Sequence, residues 1–493
     1  MSPTIITPPT DEPGALVERL RATTDVLESI AADRTLLDVL ASDERRRFLR
    51  ALSTARGPAS RSRRRQAKAM AREERAARVN RDRGVKSETG IRALRRRPVF
   101  TTPNVFPPDG PDHLGSWQLG AGNGAPARAG DPQACYICKA KYSAIHHFYD
   151  QLCPECAELN FAKRTELADL RGRVALVTGG RVKIGYQAGL KLLRAGAQLI
   201  VTTRFPRDSA SRYAREHDFD AWKDRLEIAG LDLRHTPSVE AFCRHLLATR
   251  ERLDFIINNA CQTVRRPPEF YAHMIEGETA LQRRDGMFDL AGFTHAALLS
   301  QVALLPEDLA ARKNLFPEGL LDSDLQQVDL RGRNSWRLLL DEVSTVELLE
   351  VQLVNTIAPF IINARLKALM LRTPARDKHI VNVSAVEGQF YRKFKTTRHP
   401  HTNMAKAALN MMTRTSATDY HADGIHMNSV DTGWVTDEDA AAIAARKTEE
   451  QGFHPPLDIV DGAARIVDPI ISGINTGQHV WGQFLKDYRP ADW

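Results

Sequence analysis

From Leu170 onward, short apolar runs of strand character alternate with amphipathic helical runs, and this alternation limits the fold more than any other feature of the chain. Strands separated by helices in this way form a parallel sheet covered on both faces, so the fold class expected is α/β with a doubly wound sheet. The first strand, "RVALVTGG", runs directly into "RVKIGYQAGLKLLRAGA". A glycine-containing turn thus opens a helix whose N-terminus, with its unpaired N–H groups, can hold a pyrophosphate. Alone, that turn is a weak motif.

Further landmarks follow in a fixed order. They are "GAQLIVTTR" ending at Arg204, "LDL" with Asp232, "LDFIINNA" with Asn258, Asn259 and Ala260, "VQLVN" with Asn355, "HIVNVSA" with Ser384, the helical run of Lys406, and "GIHMNSVDTGWVTDE". With these spacings, residues 168–493 resemble the short-chain dehydrogenase/reductase family. The resemblance implies a Rossmann fold with a seven-stranded parallel sheet, a bound nicotinamide dinucleotide and, on the wider assembly, a homo-oligomer.

The nucleotide residues match the family pattern well. Thr178, Gly179, Ile184 and Gly185 fit its Thr-Gly-x3-Gly-x-Gly turn, but Lys183 stands at the middle glycine. A side chain there either displaces the cofactor or supplies a cation to its phosphates, the alternative being a solvent-facing lysine. Asp232 matches the adenine contact, and Asn259 and Ala260 the strand end beside the adenine ribose. Arg204 closes the second strand, where an acid would favour a ribose 2′-hydroxyl and an arginine suits a 2′-phosphate. NADP is therefore the expected cofactor, with NAD the alternative.

The catalytic residues match poorly. The family's tetrad is Asn, Ser, Tyr and Lys; Asn355 and Lys406 correspond, whereas Ala385 takes the serine place, with Ser384 one residue earlier, and Thr402 takes the tyrosine place. An aliphatic hydroxyl is far too weak an acid to replace a phenol of pKa about 10. The loop "VEGQFYRKFKTTRHPH" ahead of the Lys406 helix carries Tyr391, His399 and His401 as candidate displaced acids, Tyr391 being the closest chemical substitute. Each has a structural alternative as a loop pin or a solvent-exposed group. An insertion from Gln262 to about Leu348 is expected as a lid, substrate wall or partner surface.

The N-terminal third is different. Cys135, Cys138, Cys153 and Cys156 form Cys-x2-Cys-x14-Cys-x2-Cys, a spacing that closes four thiolates around one ion and suggests a structural zinc ribbon over 132–165. Iron is the alternative ion, and His146 and His147 are expected on the ribbon's surface, replacement of a ligand being their alternative. Residues 1–57 read as a helical module, with Leu16, Leu20, Val26, Leu27 and Ile30 on one face, Phe48, Leu49 and Leu52 on another, and Gly57-Pro58 as its stop. Residues 58–131 read as a basic arm followed by a Pro/Gly-rich linker over 101–131. Residues 45–97 hold 20 Arg/Lys and 4 Asp/Glu, a charge of +16, so the rest of the chain carries −8. An arm over 61–97 without an apolar stripe stays solvated or binds an acidic partner, nucleic acid being one candidate.

No stretch reads as a membrane span, and "MSPTIITPPTDEPG" has neither a basic nor an apolar targeting region; a cytoplasmic protein without membrane contact is expected. The function expected is NADP(H)-dependent hydride transfer to or from a carbonyl or alcohol, on an altered tetrad. The alternative is a catalytically silent dinucleotide-binding sensor or scaffold.

Overall fold

The computed structural model describes residues 13–96, 127–280, 287–288, 296–309, 314–317, 319–322, 326–391 and 395–493. Most of the expected linker, residues 97–126, and part of the insertion lie outside the described residues. The chain divides into two compact units, Met1–Asn80 and Arg81–Trp493.

In the first unit a helix spans Pro13–Ala32 and a 3₁₀ turn spans Arg34–Val39, capped by the Asp33 carboxylate on the Thr35 N–H. A further helix runs Ser42–Ser87, so the expected stop at Gly57-Pro58 is not made. The Ala-, Arg-, Gln-, Lys- and Glu-rich run that follows has the highest helix propensities of any residues, which carry the helix past the proline. Leu16, Leu20 and Leu49 remain exposed on these helices.

The second unit is built on two sheets. A hairpin of β1 (Arg128–Ala134) and β2 (Lys141–Ala144) precedes a helix, Pro154–Thr165. Residues 128–131, expected as linker, thus begin the ribbon. The large sheet contains β3 (Val174–Thr178), β4 (Gln198–Thr203), β5 (Leu226–Gly230), β6 (Phe255–Asn258), β7 (Met287–Phe288), β8 (Lys378–Ser384), β9 (Ile425–Asp431), β10 (Phe484–Lys486) and β11 (Arg489–Ala491). Their order is β11-β10-β9-β8-β6-β3-β4-β5-β7. All pairs are parallel except the β10–β11 hairpin at one edge. The sheet has nine strands rather than seven, because the insertion adds β7 at one edge and the C-terminus folds back as β11 at the other.

Side-chain alternation along each strand feeds two cores. Ala175 and Val177 of β3 pack with Leu190, Leu193, Ile466 and Ile470 from the helices Lys183–Arg194 and Ile459–Thr476. Leu176, one residue out of phase, packs on the other face with Phe242, Leu246, Ile362 and Leu366. The sheet centre is polar in one place: Asn258 Nδ2 donates to Asn363 and Asn382, both at 2.8 Å, and Asn382 donates to Thr413 at 2.9 Å. This ladder locks the ends of β6 and β8 together.

One helix, Thr345–Met370, is long and apolar enough to cross a membrane by length and composition, contrary to the reading of the sequence. Ile362, Leu366, Leu369 and Met370 on it face the sheet, and Asn355 and Asn363 sit within it.

Candidate functional site

The strand order reverses between β3 and β6, and a cleft of about 760 Å³ opens at the C-terminal ends of the strands there. This is where open α/β sheets place their ligands. The turn after β3 borders it through Gly179, Lys183, Ile184 and Gly185. Gly185 is obligatory, because a Cβ would lie 2.3 Å from both Asn259 Nδ2 and the Gly179 carbonyl oxygen. Gly179 has φ +69° and its Cβ would meet the Ala260 backbone at 2.9 Å. Asn259 Nδ2 donates to the carbonyls of Thr178 and Gly179 at 3.0 and 3.2 Å, and the Thr178 hydroxyl accepts the Ala260 N–H at 3.1 Å. Thr178 and Asn259 therefore shape the turn from behind.

Lys183 keeps the backbone of the glycine it replaces, with φ +54°. A lysine held in the left-handed region costs on the order of 1–2 kcal/mol. It borders the cleft, and its charge helps hold the Glu438 carboxyl below the ordinary carboxylate range despite the opposing effect of burial.

Arg181, Arg204, Arg234 and Arg266 also line the cleft, with Tyr271 and Phe270. Arg204 Nη2 donates to the Tyr271 hydroxyl at 2.9 Å, and its guanidinium lies 4.5 Å from that ring's centroid. Burial raises the Tyr271 phenol, but Arg204 and its neighbours outweigh this and lower it. Asp232 lines the cleft with both carboxylate oxygens engaged by Arg234, the closest contact being 2.7 Å. Arg181 is paired with Asp208 at 2.7 Å. Arg234 could have been read from its place just after Asp232; Tyr271 and Trp336 lie in the insertion, where no sequence signal marked them. The insertion supplies a wall of the cleft through Val264, Arg266, Phe270, Tyr271 and Trp336.

The catalytic candidates divide sharply. Lys406 borders the cleft, and its ammonium donates to the Val383 carbonyl at 2.8 Å. Asn355 sits in a π-helical turn, Leu353–Ile357, and its amide is spent on the Gln262 backbone, accepting from N at 2.7 Å and donating to O at 3.1 Å. Ser384 borders the cleft but gives its proton to Asn410 Oδ1 at 2.6 Å. Tyr391 is 90% exposed and does not line the cleft, since the loop carries it out into solvent; the closest chemical substitute is not brought to the site. Thr402 is buried with its hydroxyl unpartnered, and it too is absent from the cleft wall.

His399 is in the wall. It precedes the helix Pro400–Ala422 with φ +43°, and its N–H donates to the Leu338 carbonyl at 2.8 Å. Asn403 and Lys406, three residues apart on the helix, share one face, and His399 just ahead of the helix borders the same cleft. Burial pushes the His399 imidazole below its ordinary value, and its Nδ1 is buried without a partner. Asp431 also borders the cleft; burial raises its carboxyl, which accepts from Val386 N at 3.0 Å and Gly433 N at 3.2 Å.

The four ribbon cysteines converge, with sulfur atoms all within 4.8 Å of one another and Cys138 and Cys153 at 3.6 Å. His146 is buried rather than on the surface, because its Nδ1 accepts the N–H groups of Phe148 and Tyr149 at 3.1 and 3.3 Å. The end of the basic arm is not solvated either. Arg92 pairs with Asp150 at 2.8 Å, and Arg95 donates to the carbonyls of Pro455 and Leu457 at 3.2 and 2.6 Å.

Comparison with known proteins agrees with this geometry. Residues 173–276 match a short chain dehydrogenase model, and residues 339–455 match an enoyl-(acyl carrier protein) reductase model. The gap between the two, residues 277–338, lies within the insertion. An uncharacterized protein of Acanthamoeba polyphaga mimivirus is 31% identical over 352 residues, covering 68% of this chain and 71% of that one. Bovine dehydrogenase/reductase SDR family member 13 is 35% identical over 105 residues, 20% of this chain and 28% of that protein. Mouse retinol dehydrogenase 11 is 33% identical over 96 residues, 20% of this chain and 30% of that protein. The matched part thus spans about three tenths of the length of these two named dehydrogenases. A solved Pseudomonas aeruginosa RhlG/NADP complex aligns over 64% of this chain and 95% of its own, at 18% identity and a TM-score of 0.42. With the turn after β3, Asn259, Asn355 and Lys406 in their places, the chain belongs to the short-chain dehydrogenase/reductase family.

Proposed function

We propose that the protein is an NADP(H)-dependent oxidoreductase that moves a hydride between the nicotinamide and a carbonyl or carbinol carbon, with His399 taking the proton-handling role that tyrosine has in the family. The observation that carries this reading is that His399, Asn403 and Lys406 line one cleft together with the dinucleotide turn. Bound NADP supplies the hydride acceptor and NADPH the donor. Arg204 suits the 2′-phosphate because its guanidinium already stands among cations in the cleft. Lys406, which lines the cleft, would hold a ribose hydroxyl in this reading.

Burial favours the neutral form of His399, the form that takes a proton from a carbinol as hydride leaves its carbon. Oxidation of an alcohol by NADP⁺ is therefore the direction best served near neutral pH. Carbonyl reduction needs the imidazolium and is favoured as pH falls.

The four converging thiols support one zinc ion, since all positions are cysteine and a closed tetrahedron leaves no place for a reacting water. The silent-sensor reading has one observation in its favour: Ser384 spends its proton on Asn410, and Ala385 offers none.

The deciding experiment incubates the protein with NADP⁺ and a panel of primary and secondary alcohols, and with NADPH and the matching carbonyls, following absorbance of the reduced nicotinamide. Turnover that falls with His399→Gln supports the enzyme. NADPH binding without turnover on any member of the panel would leave the sensor.

A further inference from the structure

The ribbon does more than precede the dinucleotide fold. Tyr136 stands between Cys135 and Cys138, in a knuckle fixed by the bonds Cys135 N–H to Ala140 O at 2.9 Å and Lys139 N–H to Cys135 O at 3.1 Å. Its own N–H donates to Gln151 O at 2.9 Å. From that fixed turn its ring reaches the wall of the cleft, and its hydroxyl accepts the Trp434 N–H at 2.9 Å.

Trp434 belongs to the turn that follows β9, with Asp431, Gly433, Val435 and Thr436, all of which border the cleft. Gly433 in this turn has φ +74°, and a Cβ on it would meet Leu457 Cδ1 at 2.5 Å. The segment behind the turn is also gripped by the ribbon. Gln151 Nε2 donates to His454 O at 3.0 Å, Arg164 meets Asp458 at 2.7 Å and Asp461 at 2.9 Å, and the Tyr149 hydroxyl donates to Asp461. All these ion partners are buried, and removal of one partner from such a group costs several kcal/mol, so the docking is firm. Among the described residues no hydrogen bond links the ribbon to Arg204, Asp232 or Asn259.

We propose that the four-cysteine ribbon is a wall of the reaction cleft, and that Tyr136 is a positioning residue through which the state of the knuckle sets the shape of the Asp431–Thr436 turn. The brace itself follows from geometry; its effect on substrate rests on the oxidoreductase reading. Loss of the ion from Cys135 and Cys138 frees the knuckle and with it the turn, while the arginines of the cleft keep their places.

The test uses the full-length, zinc-loaded protein and Tyr136→Phe, which keeps the ring and removes the acceptor. The Trp434 amide should exchange hydrogen about tenfold faster, with zinc content and NADPH affinity within twofold of the unaltered protein. Removal of zinc with EDTA should speed exchange across residues 431–436 in the same way. For an alcohol that is turned over, KM should rise about fivefold or more with kcat within twofold. Unchanged exchange in both Tyr136→Phe and the stripped protein would overturn the brace, whatever the activity. Faster exchange in a protein with no turnover would uphold the brace and remove only the oxidoreductase reading.

Discussion

His399 lies flat against Trp336, with ring centroids 3.9 Å apart and planes 5° apart. The indole comes from the insertion and the imidazole from the residue before the Lys406 helix, so two departures from the family pattern meet at one contact. The stack fixes the ring while its Nδ1 has no protein partner. A titratable ring that is held, buried and lines the same cleft as Lys406 is the arrangement expected of a general acid or base.

His399→Gln should therefore lower alcohol oxidation by roughly 10² to 10⁴, the usual range for loss of a general base, with little change in NADPH affinity. Thr402→Val, which removes a hydroxyl without a partner, should leave turnover within a few fold. The rate in the unaltered enzyme should fall on the acid side of the ordinary histidine pKa of about 6.5, since burial lowers His399. Activity measured from pH 4.5 to 8 checks this; an acid limb that persists unchanged in His399→Gln would assign the titration to another group.

How far the sequence disclosed this site depends on the residue. The glycines of the turn after β3 were legible, because their places admit few side chains, as the 2.3 Å clash at Gly185 demonstrates. The four cysteines were legible for the same reason of spacing. Tyr391 was favoured over His399 on chemistry, yet position decided it: one lies in solvent and the other one turn from Asn403. The contribution of Trp336, Tyr271 and Tyr136 was not legible, since contacts made across 60 to 300 positions leave no periodicity in the chain. Gly57-Pro58 reads locally as a helix stop, but the long run of strong helix formers after it carries the helix through.

Arg204→Ser should weaken NADPH binding by one to two orders of magnitude and leave NADH binding nearly unaltered, as a lost charge-assisted contact to a phosphate is worth about 1.5–3 kcal/mol. Tyr271→Phe removes the hydroxyl that holds Arg204 at 2.9 Å and should produce a smaller loss of the same kind. Fluorescence titration with both cofactors separates the cases; equal losses for NADPH and NADH would place Arg204 away from the 2′-phosphate.

Lys183→Gly distinguishes the two roles open to that residue. Glycine adopts φ +54° without strain, so the midpoint of thermal unfolding should change by only a few degrees in either direction, relief of strain being offset by greater freedom of the unfolded chain. If the ammonium contacts the pyrophosphate, affinity for NADPH and NADH should fall together, about tenfold, and the loss should shrink in high salt. Unchanged affinity would make the lysine a solvent-facing replacement of glycine.

The last prediction concerns the far side of the sheet, where four histidines cluster at the starts of β8 and β9. His379 Nε2 is 3.0 Å from His479 Nδ1, His426 stacks on His479 at 4.7 Å, and His421 Nδ1 is 3.4 Å from His426 Nδ1. Arg173, Arg376 and Asp377 are the charged groups about them, and His426 Nε2 is held by the Arg376 carbonyl at 2.9 Å. Burial lowers His379 well below its ordinary value and His426 to about 4, with the neighbouring imidazoles adding to the effect. Well above about pH 6.5 both the folded and the unfolded chain keep His379 and His426 neutral, so these two leave stability independent of pH there. Below it the unfolded chain protonates His426 while the folded chain keeps that ring neutral until about 4, so this group makes stability fall with pH across that window. His426→Gln should leave the unfolding midpoint at pH 7.5 within a few degrees and reduce the drop between pH 7 and pH 4.5. An acid-induced drop identical in the variant would assign the loss to other groups, the buried pair of Asp458 with Arg164 being the first to examine.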